Sequence, residues 1–432
     1  MTPQGHFTVI APVAAGNEQT LRAELEKMSR VPGIADPDNE VLSFGSYPTL
    51  HFARLVILDD PTLSDIEIYG VKPTPKPTYL AFMGDCDGAA HEILADMVRQ
   101  AAPGLRQLFR NCADFDPSTD LLQWMTSHDR PTAASYVNWL GRTVQQIKEE
   151  SALQRALSFQ VSLPPVTADM TARARHRELA AFIEKEICAG RVHLTPPAPT
   201  PIGWRLRRLA YLVAIPFIAI LLLPLLMVLS PLIILQLRIL ETSDPEICPR
   251  PSLNSLRALQ RLEDVDVTNQ YTAIGSLKPG WFRQALVSAL IVLVDYIAQN
   301  FFARGYLARV RTIHFARWVF LDHKARMLFA SSYDGVHEAY MDDFINKVAW
   351  GLNLVFSNGV GWPRTDWLIT RGARREHQFK YFQRRHQIPT QVWYKAYPGL
   401  TLMDLERNHR IRRGLQATSP SESEAVAWLN LL

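Results

Sequence analysis

Histidine and arginine stand three residues apart in two copies of one string, His51-Phe-Ala-Arg54 and His314-Phe-Ala-Arg317. Imidazole moves a proton near neutral pH or binds a metal, and guanidinium holds an anion, so these are the first candidates for chemistry. On a strand, though, residues three apart point to opposite faces and cannot both line one cavity. Presence in both strings favours a structural role, one side chain of each pair meeting a helix end or a carboxylate. Ligation of a haem or a metal by His314 is the alternative. Two Asp-Gly pairs, Asp87-Gly88 and Asp334-Gly335, each stand between a strand-like run and a helix-like run. Aspartate at such a junction suits an N-cap. Arg384-Arg385 is a ready site for an anion.

The elements that must position these residues come from an internal repeat. Thr49–Asp59 aligns with Thr312–Asp322 at an offset of 263, with eight of eleven positions identical. Phe82, Asp87, Gly88, Leu105, Phe109 and Asn111 match Phe329, Asp334, Gly335, Leu352, Phe356 and Asn358 at an offset of 247. Tyr136, Gly141, Thr143, Arg155 and Leu157 match Tyr394, Gly399, Thr401, Arg413 and Leu415 at 258. Blocks in one order mark a duplication. Each copy reads as strand (Thr8–Val13; Gln270–Leu277), helix (Glu18–Ser29; Trp281–Phe302), hairpin (His51–Leu58 with Tyr79–Met83; His314–Leu321 with Met327–Ala330), helix (Ala89–Phe109; Val336–Phe356), strand (Ala134–Trp139; Gln391–Tyr397) and closing helix. Pro103-Gly104 is expected to kink or break the first long helix. A Pro-rich insertion, Asp60–Thr78, lengthens the first hairpin.

The order βαββαβ predicts an α+β fold of tandem ferredoxin-like modules over 1–157 and 269–432, joined by a linker over 158–268. Packing sheet on sheet would leave a pocket between them. This organisation resembles the dimeric α/β-barrel superfamily in fused form, with chlorite dismutases and dye-decolourising peroxidases among its members. Gly84-Asp-Cys-Asp87-Gly88 is similar to the GxxDG string of the dye-decolourising peroxidases. The resemblance implies a pseudo-dimeric α/β barrel, a haem cofactor and Asp87 as distal acid–base residue, with Arg317 as its catalytic companion. It also implies cofactor-binding residues: His314, or one of the late histidines His377, His386 and His409, for the iron, and Arg384 with Arg385 for the propionates. No metal site beyond the haem is expected.

From Leu209 to Leu237 the linker holds 29 residues without a charge, more than the ~20 that cross a bilayer. Pro216, Pro224 and Pro231 interrupt it, so one straight helix is not expected. If the repeats pack together, both ends of this segment lie on one side of the membrane, and it must turn back near Pro224 or lie in the interface. Arg205, Arg207, Arg208 and Arg238 flank it and suit the cytoplasmic face.

Net charge is only +4, but 364–413 carries twelve Lys/Arg against four Asp/Glu. With an apolar segment in the same chain, phospholipid is the expected partner of that basic stretch. Nucleic acid is not, because no recognition helix or zinc-finger spacing occurs. Cys86, Cys112, Cys188 and Cys248 are too scattered for a metal or redox motif and suit a reducing compartment. No signal peptide is read at the N-terminus. Two functions follow. The first is a membrane-associated, haem-dependent oxidoreductase of peroxidase type acting on an apolar or lipid-derived substrate. The second is a non-catalytic lipid or hydrophobic-ligand binding protein on the membrane surface.

Overall fold

The computed structural model describes residues 1–163, 170–302, 307 and 309–432. The fold is mixed α+β. Alternating β-branched and aromatic runs form eight principal strands: β1 (Gln4–Pro12), β2 (Leu50–Leu58), β3 (Tyr79–Asp87), β4 (Ala134–Val137), β5 (Thr268–Ser276), β6 (Ile313–Leu321), β7 (Arg326–Asp334) and β8 (Val392–Lys395). They make two four-stranded antiparallel sheets, ordered β1-β3-β2-β8 and β4-β6-β7-β5.

The last strand of each half is therefore in the other half's sheet. Ala134 pairs with Trp318 and Val137 with Phe315, while Val392 pairs with Leu55 and Lys395 with Phe52. These registers agree under the sequence offsets of 258 and 263. The sequence reading kept each last strand with its own copy, and the exchange corrects it. Hydrogen bonding along an edge is nonlocal, so residue order cannot say which edge a strand joins.

Helices cover the outer face of each sheet. In chain order the helices among the described residues are α1 (Glu18–Glu26), α2 (Ala90–Phe109), α3 (Leu121–His128), α4 (Val144–Ser162), α5 (Ala172–Cys188), α6 (Ile202–Ser243), α7 (Leu253–Gln260), α8 (Trp281–Asn300), α9 (His337–Phe356), α10 (Glu376–His386), α11 (Leu402–Leu415) and α12 (Glu422–Leu429), with α1, α2, α8 and α9 on the sheets and α5 and α12 in a separate helical cluster. Leu21, Leu25, Ile93 and Met97 pack on Val9, Leu55 and Phe82 on one side; Val287, Ile291, Tyr340 and Phe344 pack on Tyr271, Trp318 and Phe329 on the other. Between the sheets lies a thin layer of Ile10, Val56, Met83, Ile274, Val319 and Leu328. The two sheets share no hydrogen-bonded strand pair, so the expected closed barrel does not form. The space where a pocket was expected holds these side chains.

Both long sheet-covering helices are kinked at equivalent residues, Ala101 (φ −128°) and Val348 (φ −140°). Only α2 has a proline nearby, Pro103, so the proline is not the common cause. The bend belongs to the way each helix crosses its sheet, and Pro103 sits where an amide has already lost its partner.

Three prolines do not break α6, which runs unbroken for 42 residues. Each removes one hydrogen bond, and their spacing of seven or eight residues places the three losses on nearly one side of the helix, which bends it without ending it. A turn out of helix at Pro224 is thereby corrected.

Candidate functional site

The repeated His and Asp meet each other. His51 Nε2 donates to Asp87 Oδ1 (3.0 Å), and Asp87 Oδ2 accepts the Val144 amide at the first turn of α4 (2.9 Å). His314 Nε2 donates to Asp334 Oδ1 (2.7 Å), and Asp334 Oδ2 accepts the Leu402 amide at the first turn of α11 (2.7 Å). Each aspartate thus serves the helix after the exchanged strand, not the helix that follows it in sequence. Burial works against ionisation of Asp334, but His314, the Leu402 amide and Thr268 outweigh it and hold the carboxyl below its usual range. These are buried, satisfied groups: His51 and His314 are 1% and 2% exposed. Phe52, Phe315 and Tyr397 surround the two imidazoles. His51 Nδ1 also meets the Tyr397 hydroxyl, at 3.3 Å.

The repeated arginines cross between sheets. Arg54 donates to the Tyr271 and Ser331 carbonyls (2.9 and 3.0 Å) and to Thr272 and Ser332 hydroxyls. Arg317 donates to the Phe7 and Gly84 carbonyls (2.7 and 3.0 Å), to Thr8 Oγ1, and to Asp85, which also accepts from His6 Nδ1 (2.8 Å). Burial would raise Asp85, yet Arg317, His6 and Arg54 hold it down at about 2. Burial lowers the Arg54 guanidinium, Asp85 opposing and Arg317 adding to the effect. Each arginine clips one sheet to backbone oxygens of the other, and Arg317 has no free fork for peroxide chemistry beside Asp87.

The late residues are scattered. His377 is exposed in the first turn of α10. His386 is buried, donates from Nδ1 to the Phe382 carbonyl (2.8 Å), and borders a cavity of only about 40 Å³; burial lowers its pKa. His409 contacts Glu150 (3.1 Å) and the Trp139 ring. Arg384 is bound to Glu263 (2.6 Å) and Arg385 to Asp65 (2.6 Å). The residues expected to hold haem neither gather around one space nor offer unpaired cations to its propionates. They do not fit the group. Among the described residues no group of three or more His, Cys, Asp or Glu is placed to hold a metal ion.

What the tertiary structure does bring together lies around α6 and α8, the two helices among the described residues that are long and apolar enough to cross a membrane. From Val213 to Gln236 no α6 residue is buried. Its ends are fastened to the globular body. At the start, Arg208 donates to the Gln299 carbonyl (2.9 Å) and Tyr211 to Asp295 (2.8 Å). At the finish, Asp244 accepts from Lys278 (2.7 Å) and Arg283 (2.6 Å), and Glu241 accepts from Thr365 and from the Trp367 and Leu368 amides. The helix between Tyr211 and Asp244 is about 50 Å long, whereas α8 from Arg283 to Asp295 covers about 18 Å. So α6 outreaches α8, and its middle, Val213–Gln236, carries no buried residue while its two ends are fastened.

Beside the start of α6 is a cleft of about 1140 Å³ bordered by Trp139, Arg208, Phe301, Arg311, Arg407 and Arg410, with Glu406 the one acid among the described residues of its wall. Between α8, α9 and the second sheet is an apolar crevice of about 90 Å³ lined by Ala298, Phe302, Ile313, Trp318, Val348 and Gly351 among others. Sequence reasoning passed over Asp244, Glu241, Arg407 and Arg410. A signal existed for the first two, since acids closing a long apolar helix are costly unless they fasten something. None existed for the arginines, whose grouping is purely tertiary. No family model, curated protein or solved structure matches the chain.

Proposed function

We propose that this chain is a membrane-surface protein, built as a tandem ferredoxin-like duplication whose halves exchange their last strands, and that it binds an amphiphile without haem chemistry. The observation that carries this reading is α6: a helix whose stretch from Leu209 to Gln236 has no charge and, from Val213 on, no buried residue, on a body that grips both of its ends. Exposing that much apolar surface to water is unfavourable at about 25 cal/mol per Å², and a lipid phase removes the penalty. With both ends on one body, this stretch enters one leaflet and returns, and Arg205, Arg207, Arg208 and Arg238 at its feet suit the anionic cytoplasmic leaflet. The duplication is supported by the matching registers, kinks, His–Asp pairs and arginine clips of the two halves. The outer face of α8, with Trp281, Val292 and Leu293 exposed, extends the same surface.

Flotation with phosphatidylcholine–phosphatidylglycerol vesicles tests it. The parent chain is expected to float. A double variant, Leu222→Lys with Met227→Lys, is expected to stay at the bottom, because each lysine at the depth of the hydrocarbon costs about 2.5–3.5 kcal/mol. A parent chain that remains soluble and does not float defeats the reading.

A further inference from the structure

The second half carries a loop that the first half does without. The isolated bridges Val9–Asp129 and Ala273–Gln387 make α3 and α10 equivalent, each coming after its long sheet-covering helix. Between α2 and α3 the first half uses 11 residues, 110–120; between α9 and α10 the second uses 19, 357–375. The added length forms a hairpin, Thr365–Asp366 against Thr370–Arg371, with Trp367-Leu368-Ile369 as its tip. Trp367 and Leu368 both hold the left-handed backbone, φ +57° and +62°, which bulky side chains rarely adopt. Two buried side chains impose it. Glu241 of α6 accepts the Trp367 and Leu368 amides (2.9 and 2.8 Å) and the Thr365 hydroxyl (3.0 Å). Asn353 of α9 donates to the Ile369 and Arg371 carbonyls, both at 3.1 Å. The tip so held turns two large apolar side chains outward: Trp367 and Ile369 are 54% and 45% exposed.

The tip stands at the end of the apolar run. Arg208 lies over the Trp204 ring (5.1 Å) one residue before 209–237 begins, and Arg238 lies over the Trp367 ring (4.5 Å) one residue after it ends. Each foot of α6 thus has a tryptophan stacked with an arginine. That pairing suits a membrane–water interface, where the ring sits among headgroups and the cation meets phosphate. The first tryptophan is four residues from its arginine; the second comes from 129 positions further along the chain. Ile234, Leu235 and Ile239 on the adjoining turns of α6 are exposed as well, so the apolar surface is continuous. Over 364–375 four arginines stand against Asp366 alone. Arg371 pairs with Asp366 (2.8 Å) and Arg375 with Glu246 (2.7 Å), and the Arg371 and Arg374 side chains stay at the surface. Resting on the membrane-surface reading above, we propose that this hairpin is a second anchor, which dips Trp367 and Ile369 into the boundary between headgroups and acyl chains of an anionic leaflet. The two side chains leave water there, and the arginines around them meet lipid phosphates.

A fluorophore at the tip tests this. Cys188 and Cys248 are exposed and are changed to serine, Cys86 and Cys112 are buried, and Ile369→Cys then carries the polarity-sensitive dye NBD. Phosphatidylcholine–phosphatidylglycerol vesicles should shift its emission to the blue, and a nitroxide near the top of the lipid acyl chain should quench it more than one near the terminal methyl. Separately, Trp367→Ser with Ile369→Ser should weaken partition into the same vesicles at least about tenfold, the equivalent of roughly 60 Å² of apolar surface left in water. Circular dichroism should stay unchanged, since both side chains point out of the core. A label that keeps its aqueous emission on a chain that floats, or a double serine variant that partitions like the parent, overturns the hairpin anchor and leaves the reading of α6 standing. Blue emission that rises with protein concentration in the absence of lipid shows the tip covered by a second copy, and also overturns it. A parent chain that does not bind vesicles at all overturns both.

Discussion

At the scale of single residues, two side chains that look catalytic serve the fold. His51 with Asp87 and His314 with Asp334 join a strand of one sheet to the helix that follows the strand its own half places in the other sheet. An acid that donates protons in turnover needs access and a poised pKa; Asp334 is 9% exposed and held below its usual range. Asp334→Asn therefore lowers stability by about 1–3 kcal/mol at pH 7, the usual result of weakening one partner of a buried charge-assisted network. The sign of the pH dependence follows. A carboxyl whose folded pKa lies below its unfolded value contributes fully above the ordinary carboxylate range and loses that contribution as pH falls toward the folded value. The stability gap between parent and Asp334→Asn should close in acid, as read from urea unfolding at pH 7 and pH 3. A gap that is constant with pH shows that ionisation of Asp334 is not what the variant loses. The identity of these residues was legible in the repeated strings; which helix each served was not, since it depends on a strand exchange.

At the scale of elements, α6 is decided by its feet. Its middle is a generic apolar helix, but Asp244 sits 8% exposed between Lys278 and Arg283, themselves 5% and 2% exposed. Asp244→Ala leaves two buried cations without their shared partner, an uncompensated charge that costs about 3–5 kcal/mol. The expected outcome is a fall in melting temperature, with protease cleavage appearing near 243–250. Unchanged melting would show that the end of α6 is not fastened there. The hairpin strands and long helices were readable to within a few residues, because period-two and period-3.6 patterns are local. Helices α3, α5, α10 and α12 were not foreseen: they are short or largely polar, so their periodicity is weak, and packing on neighbours decides them.

At the scale of the whole molecule, each half is incomplete. Without β8 the first sheet exposes the edge of β2, and without β6 the strand β4 has no partner. A fragment of residues 1–162 is expected to be a dimer, each copy placing its β4 against the other's β2 as β8 does in the full chain. Light scattering reads this directly, and a stable folded monomer counts against it. Because the arginine clips reach carbonyls of the opposite sheet, the same fragment can reuse Arg54 only by reaching Phe7 and Gly84 of a second copy.

Residue order alone determined the repeat, the α+β element sequence and the apolar stretch, because each is a pattern of neighbours along the chain. It also determined which histidines, aspartates and arginines recur. Which sheet receives the last strand of each half, that the helix over 202–243 continues through three prolines with its ends fastened to the body, and that arginines far apart in sequence border one cleft were decided only by tertiary packing. Those depend on contacts between residues up to hundreds of positions apart, and no local periodicity encodes where such distant segments meet.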